Sequence, residues 1–122
     1  MSDLNALRDT IRQFAAERDW EKFHDPKSLM LALVGEVGEL AELLQWLPAD
    51  EVVTLASDSE LRGRLGEELA DVLTYLIRLA DVLDIELAEV TRSKLDASRG
   101  RFPIDEFRST APSKLQNGPP KT

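Results

Sequence analysis

The stretch LMLALVGEVGELAELLQWL, residues 29–47, decides the fold because it combines an almost wholly apolar helix with regularly spaced acids. Its only ionisable residues are Glu36, Glu39 and Glu42, and together with Gln45 they follow one slowly drifting stripe. The remaining circumference consists of Leu, Met, Val, Ala, Trp and Gly. A helix that is apolar on most sides must be covered on most sides.

Covering this helix is difficult for a chain of 122 residues with few other helices. We therefore expect a homo-oligomer, either a dimer or a tetramer, whose subunits share a helical core. The alternative is that flanking helices and the polar loop at residues 48–59 cover the helix within one subunit.

Helical spacing of apolar residues continues along the chain, and no window shows strand alternation flanked by hairpin signals. Asp25 followed by Pro26 predicts a capped helix start, and Asp58 or Ser59 predicts another. Gly100 is expected to end the last helix. The sequence predicts an all-α fold, most simply a four-helix bundle, with a short helical piece around residues 51–56 and long helices at residues 4–18, 26–46, 59–83 and 86–98.

Bulk properties indicate one domain, at residues 1–108, and a disordered tail at residues 109–122. The net charge of −8 argues against binding a nucleic-acid polymer, which requires a basic face. The absence of cysteine fits a cytoplasmic location. The first residues lack the apolar segment of a signal peptide, and the longest apolar run is too short to span a membrane, so no membrane partner is expected.

Two acidic pairs stand in the long apolar helices: Glu36 with Glu39, and Glu68 with Asp71. Residues three apart share one helix face. Four carboxylates converging between apolar helices would need a cation, and oxygen ligands suit Mg²⁺ or Mn²⁺. A carboxylate-bound Mg²⁺ usually faces a phosphate, which favours phosphate chemistry. The alternative is that the acids form the solvated faces of amphipathic helices.

Other metal centres fit the sequence less well. A di-iron carboxylate bundle requires Glu-x-x-His pairs, and the only histidine, His24, lies outside the long helices. Zinc is disfavoured because the chain offers one nitrogen ligand and no sulfur ligand.

Aromatic and basic residues allow two interpretations each. Trp20 and Trp46 could anchor helix ends or cover a nucleobase. Tyr75 and Arg78 share a helix face with Glu68 and Asp71. The basic residues near the end of the last helix could pair with its C-terminus or clamp a triphosphate. These are Lys94, Arg99 and Arg101.

Three segments together resemble the all-α nucleotide pyrophosphohydrolases of the MazG-like type, and within them the dCTP pyrophosphatase branch. The resemblance covers roughly residues 4–103. The segments are AAERDWEKFH at residues 15–24, LALVGEVGELAELLQW at residues 31–46 and EELADVLTYL at residues 67–76.

The resemblance implies a Mg²⁺-dependent hydrolase that cleaves a nucleoside triphosphate to a monophosphate and pyrophosphate, with dCTP and modified dCTP as the favoured substrates. It implies that Glu36, Glu39, Glu68 and Asp71 hold the metal and that Glu39 takes the proton of the attacking water. It also implies a set of substrate-binding residues. These are Trp20, His24, Trp46, Tyr75, Lys94 and Arg101.

The chain departs from the family's tail motif at two positions. Ser98 stands where Asn is common, and Phe102 stands where Tyr is common. Neither is counted among the site residues. Two further hypotheses stay open: a related enzyme with a broad or different nucleotide preference, and a catalytically silent helical oligomerisation or nucleotide-binding module.

Overall fold

The computed structural model describes residues 3–112, and these residues contain helices and no strand. The all-α prediction is confirmed. Four helices have 15 residues or more. The elements are α1 (Asp3–Glu17), a 3₁₀ turn (Glu21–Phe23), α2 (Pro26–Leu44), α3 (Val52–Leu55), α4 (Ser59–Val82), α5 (Leu87–Arg101) and α6 (Ile104–Phe107).

The starts of α2 and α4 follow the predicted capping chemistry. Asp25 has an extended backbone, and its carboxylate accepts hydrogen bonds from the Ser28 backbone N–H at 2.9 Å and from the Ser28 hydroxyl at 2.6 Å. Pro26 occupies the first turn, where its missing N–H has no cost. Asp58 caps α4 by accepting from the Glu60 N–H at 2.9 Å.

Two aspartates, rather than glycines, end α1 and α4. Asp19 and Asp84 have φ values of 53° and 56°, in the left-handed region. The next residue then bonds back across the helix end: Trp20 N–H donates to the Ala15 carbonyl at 3.0 Å, and Ile85 N–H donates to the Ala80 carbonyl at 2.8 Å. These are Schellman turns, and the first one determines where Trp20 lies.

The predicted stop at Gly100 is wrong. Helix α5 continues to Arg101, and the Phe102 N–H still donates to the Ser98 carbonyl at 2.8 Å. Pro103 provides the physical reason, because a proline disfavours helical backbone in the residue before it and thereby ends the helix. The short helix α6, which follows Pro103, is not anticipated by the sequence analysis.

Contacts cluster into two compact units, one up to Glu86 and one from Leu87 onward. In the first unit, α2 packs extensively along α4, and α1 packs on α4 to a smaller extent. Its buried apolar core is small and consists of Ala15, Leu29, Leu33, Ile77 and Ala80. In the second unit, Phe102 and Phe107 meet edge to face at 5.0 Å.

The apolar surface of α2 and α4 is only partly covered within the first unit. Leu31 is 64% exposed, and Val34 and Val37 on the same helix are also exposed. Leu69 and Leu73 of α4 are exposed as well. The shared helical core between subunits stays a prediction, which this surface motivates.

Several predictions concern the chain as a whole. The extent of the domain, residues 1–108, stays a prediction. Of the tail predicted at residues 109–122, residues 113–122 lie outside the described part of the chain. No helix within residues 3–112 has both the length and the apolar character needed to cross a bilayer.

Candidate metal centre and adjoining pockets

Three carboxylates meet where α2 packs along α4. Glu36 and Glu39 extend from α2, and Glu68 extends from α4. One oxygen from each carboxylate lies within 4.8 Å of the other two. The three-residue spacing of Glu36 and Glu39 within α2, together with the close packing of α2 along α4, brings them together. We call these three residues the carboxylate cluster.

Among residues 3–112, the carboxylate cluster forms no ion pair with a basic side chain. Glu36 Oε2 and Glu68 Oε2 are both buried and have no hydrogen-bond partner among the described residues. Partial burial, followed by the hydrogen bond and negative charge of Glu39, raises the pKa of Glu36 to about 7. Burial and then Glu39 also raise the pKa of Glu68. Buried oxygens without donors, in a group made only of oxygen ligands, fit a hard divalent cation.

Asp71 stands beside the carboxylate cluster but is not part of it. Asp71 lines a neighbouring cavity instead. Its negative charge nevertheless contributes to raising the pKa of both Glu36 and Glu68. The structure therefore brings three of the four expected metal ligands together and places the fourth at their edge.

The neighbouring cavity has a volume of about 260 Å³ and is mostly apolar. Trp20, His24 and Tyr75, three residues expected to hold a base, all line it. Phe14 lies against Trp20 edge to face, with ring centroids 5.7 Å apart, and also faces the cavity. We call this cavity the aromatic pocket. Trp46 does not line it and is 86% exposed beyond the end of α2.

Arg78 lines the aromatic pocket and is a charged residue that the sequence analysis did not place in the site. Its side chain is 8% exposed. Its Nε donates to His24 Nδ1 at 2.9 Å, and one terminal nitrogen donates to Asp81 at 3.0 Å. Asp81 in turn accepts from Arg12 Nε at 3.0 Å. These four residues, Arg12, Asp81, Arg78 and His24, form the arginine network.

A second, polar cavity of about 680 Å³ adjoins the carboxylate cluster. Glu39 and Glu68 belong to both the cluster and this cavity. Glu42 of α2 and Gln45, the residue after α2, add further polar atoms. Among the described residues that line the cavity, Arg64 of α4 is the single basic one. Arg64 stands four residues before Glu68, so the two side chains share a helix face.

The remaining expected substrate ligands, Lys94 and Arg101, lie on α5 in the second unit. Lys94 is exposed. Arg101 donates to the Ser98 hydroxyl at 3.1 Å, and its Nε is buried without a hydrogen-bond partner among the described residues. Their contact with substrate stays a prediction.

Comparison with known families identifies the fold. A family model described as the MazG nucleotide pyrophosphohydrolase domain matches residues 24–115. The chain belongs to the MazG family. A crystal structure of a pyrophosphatase from Archaeoglobus fulgidus superposes with a TM-score of 0.77 and 35% sequence identity, over 84% of this chain and 94% of that one.

The MazG chain is also similar to curated relatives. It is 47% identical over 108 residues to "dCTP pyrophosphatase 1" of Bos taurus and 48% identical over 108 residues to the protein of that name in Mus musculus. Each alignment covers 88% of this chain and 64% of the relative. The chain therefore spans just under two thirds of the length of the curated relatives it matches.

Arg78 and Arg64 are two basic residues of this MazG chain that the sequence analysis left out of the site, and only Arg78 could have been suspected from the sequence. Arg78 is the only base between Arg64 and Arg92, and it stands in the same helix as Glu68 and Asp71. An isolated arginine in an apolar helix requires a partner, since charged groups are rarely buried alone. Arg64 carries no comparable signal, because it lies among other charges near the start of α4.

Proposed function

We propose that the protein is a divalent-metal-dependent nucleoside triphosphate pyrophosphohydrolase. It would cleave the bond between the α- and β-phosphates and release a nucleoside monophosphate and pyrophosphate. The observation that carries the proposal is the carboxylate cluster: two buried oxygens without donors at the helix interface of a MazG chain. A protein without a cation to bind would lose stability by keeping this arrangement.

Mg²⁺ is the proposed ion, with Mn²⁺ as a substitute, because the donors are carboxylate oxygens only. Glu36, Glu39 and Glu68 would hold it, and Asp71 would complete the set from the edge of the cluster. When bound, the ion offsets negative charge on the phosphates and lowers the pKa of a bound water. Glu39, the most exposed of the three cluster residues, would accept the proton of the attacking water.

The aromatic pocket would take the base and sugar. Trp20 and Tyr75 offer ring surfaces on which a base can stack, and His24 offers a polar edge. dCTP and its modified forms, such as 5-methyl-dCTP, are the proposed substrates, with removal of modified nucleotides from the pool as the cellular role. The similarity to proteins named dCTP pyrophosphatase 1 supports this choice of base.

The polar cavity would receive the β- and γ-phosphates. It shares Glu39 and Glu68 with the carboxylate cluster and contains Arg64 as a counter-charge for a phosphate. Arginine suits this task because its guanidinium donates two parallel hydrogen bonds to phosphate oxygens. Lys94 and Arg101 of α5 would add further phosphate contacts, and Trp46 would add a contact to the base or sugar.

The active form is proposed to be a homodimer or homotetramer located in the cytoplasm. The exposed apolar side chains of α2 and α4 support the assembly, since contiguous apolar surface of this kind marks an interface. The net charge of −8 supports a small nucleotide, rather than a nucleic-acid polymer, as the substrate. The absence of cysteine supports a reducing location.

The test is pyrophosphate release from a panel of canonical and modified dNTPs and NTPs, in Mg²⁺ and in EDTA. We expect release that is metal-dependent, led by dCTP and lost in Glu39→Ala. Glu67→Ala is a matched control, because Glu67 lies next to Glu68 yet is exposed and outside the cluster. Release led by another nucleotide would favour the related enzyme with a different preference. A folded protein that releases nothing would favour the silent module.

A further inference from the structure

The hydrogen bond between Arg78 and His24 in the arginine network determines which ring nitrogen of His24 is the acceptor. Arg78 Nε lies 2.9 Å from His24 Nδ1, and both residues line the aromatic pocket. A guanidinium nitrogen in a protein is always a donor and never an acceptor. His24 Nδ1 must therefore be the accepting, unprotonated nitrogen of its ring.

This contact determines where the imidazole carries its proton. A neutral histidine has one donor nitrogen and one acceptor nitrogen, so the proton lies on Nε2. Partial burial and then the positive charge of Arg78 lower the pKa of His24, which keeps the ring neutral. His24 Nε2 makes no hydrogen bond to any residue in the described range 3–112, so its N–H is available to a ligand.

The rest of the network holds Arg78 in position. Asp81, which is largely buried, accepts from Arg78 on one side and from Arg12 on the other. The two arginines and the carboxylate lie on α1 and α4, while His24 lies just before α2. Arg78 is thus fixed at two of its nitrogens before any ligand arrives, which limits the entropy that binding must remove.

We propose that Arg78 is a positioning residue that holds His24 as a neutral Nε2–H donor, so that the aromatic pocket selects a base presenting a hydrogen-bond acceptor to that donor. On a cytosine base such acceptors are the 2-carbonyl oxygen and the ring N3. This inference rests on the proposed function for the identity of the ligand. The state of His24 itself does not depend on it and can be measured on the protein without nucleotide.

The first experiment is a ¹⁵N–¹H correlation spectrum of the histidine ring in the wild-type protein at neutral pH. His24 is the only histidine in the chain, so its two ring nitrogens give unambiguous signals. We expect Nε2 to be protonated and Nδ1 to show the shift of an accepting nitrogen. Addition of dCMP with Mg²⁺ should move the Nε2 signal more than the Nδ1 signal. A ring protonated on Nδ1, or an equal mixture of tautomers, would overturn the proposal.

A pair of variants tests the role of Arg78 in the same spectrum. Arg78→Met removes the donor, so the two tautomers should mix and the pKa of His24 should rise. Arg12→Met is the matched control, because it removes the other partner of Asp81 and leaves the bond between Arg78 and His24 intact. An unchanged tautomer in Arg78→Met would show that Arg78 does not set it.

Steady-state kinetics then separate positioning from simple support of the fold. Arg78→Met and His24→Leu should each raise KM for dCTP roughly tenfold, the effect of one lost hydrogen bond, while kcat changes much less. His24→Gln keeps an N–H donor near the position of Nε2 and should recover part of that loss relative to His24→Leu. A fall in kcat with KM unchanged would overturn the positioning role.

The proposed function and the role of Arg78 are contradicted by different results. Wild-type protein that releases no pyrophosphate but shows the Nε2–H tautomer would contradict the proposed function alone. Wild-type protein that hydrolyses dCTP while its histidine carries the proton on Nδ1 would contradict the role of Arg78 alone.

Discussion

The carboxylate cluster and the arginine network border the same helix, α4, but their charges are balanced in opposite ways. The cluster brings Glu36, Glu39 and Glu68 together, and two of its buried oxygens have no hydrogen-bond donor within the described part of the chain. The network alternates positive and negative groups, and Asp81 accepts from a guanidinium on each side. The difference teaches that the charges of the arginine network are balanced within the protein, whereas the carboxylate cluster has an excess of negative charge that a bound cation would balance.

Replacement of Glu36 by glutamine should have the largest effect on activity. The variant keeps the shape of the side chain but removes one of three negative charges from the cluster, so pyrophosphate release should fall roughly a hundredfold or more. In the metal-free protein the same change relieves repulsion, so the melting temperature in EDTA should rise. Activity assays and thermal unfolding with and without Mg²⁺ measure both effects. A variant that loses activity and also melts earlier in EDTA would contradict the comparison.

Replacement of Asp81 by asparagine should have the largest effect on stability. It leaves two guanidinium groups without their shared carboxylate, and Arg78 is almost fully buried. Breaking a buried pair by removing one partner costs about 3 kcal/mol. Urea unfolding measures the free energy of unfolding, and Asp9→Asn is the control because its ion pairs are exposed. Asp81→Asn should have a lower free energy of unfolding than Asp9→Asn, and equal values would contradict the prediction.

The two regions should respond to pH with opposite sign. The pKa of Glu36 is about 7, above its ordinary value of 4.5, so the folded metal-free protein loses stability as pH rises through this range. The pKa of His24 lies below its ordinary value of 6.5. The stability contributed by the neutral ring is therefore lost as the pH falls below 6.5 toward the lower pKa of the folded protein. In EDTA, the free energy of unfolding of Glu36→Gln should therefore rise with pH over this range. The free energy of unfolding of the wild type should rise less or fall.

The same pKa shift predicts how metal binding depends on pH. A carboxyl must lose its proton to bind a cation. The rise in melting temperature caused by Mg²⁺ should therefore be larger at pH 8 than at pH 6, since a ligand that binds only the folded state stabilises it. An equal rise at both pH values would show that the ion does not bind at Glu36.

The smallest expected effect lies outside both regions. Asp84 has a left-handed backbone that ends α4, and glycine adopts this conformation without a penalty. Asp84→Gly should therefore stabilise the protein by about 0.5–1 kcal/mol with unchanged kinetics. Urea unfolding and the dCTP assay measure the two quantities. A change in KM would indicate that the end of α4 is coupled to the aromatic pocket.

The sequence predicts the local features of the fold well, because they depend on nearby residues. Asp25 and Pro26 start α2 as expected, and Asp58 starts α4. The helix end predicted at Gly100 is wrong because glycine allows a helix to end but does not require it. Pro103, three residues later, disfavours helical backbone in the residue before it and so ends the helix. The observed ends of α1 and α4 lie within one residue of the predicted ends at residues 18 and 83. The left-handed backbone of Asp19 and Asp84, which closes these ends, was not predicted.

From the residues alone, the candidate site could be predicted only as far as helix periodicity reaches. The family resemblance added Trp20, His24 and Tyr75, which line one pocket. Spacing places Glu36 beside Glu39, and the approach of α2 to α4 adds Glu68. Spacing cannot show that Asp71 lines a different cavity and lies outside the carboxylate cluster, or that Trp46 is exposed. The contact between Arg78 and His24 joins residues 54 positions apart, so no local pattern could have indicated it.

Helix α4 is a single uninterrupted helix, and it carries residues of the polar cavity, the carboxylate cluster and the aromatic pocket in that order. Glu68 and Tyr75 are seven residues apart, which at the rise of an α-helix is about 10 Å. Because an α-helix changes length very little, the distance between Glu68 and Tyr75 along α4 is fixed. Under the proposed function, a substrate would have to match this distance between its base and its phosphates, which would make molecular length a criterion of selection alongside the identity of the base.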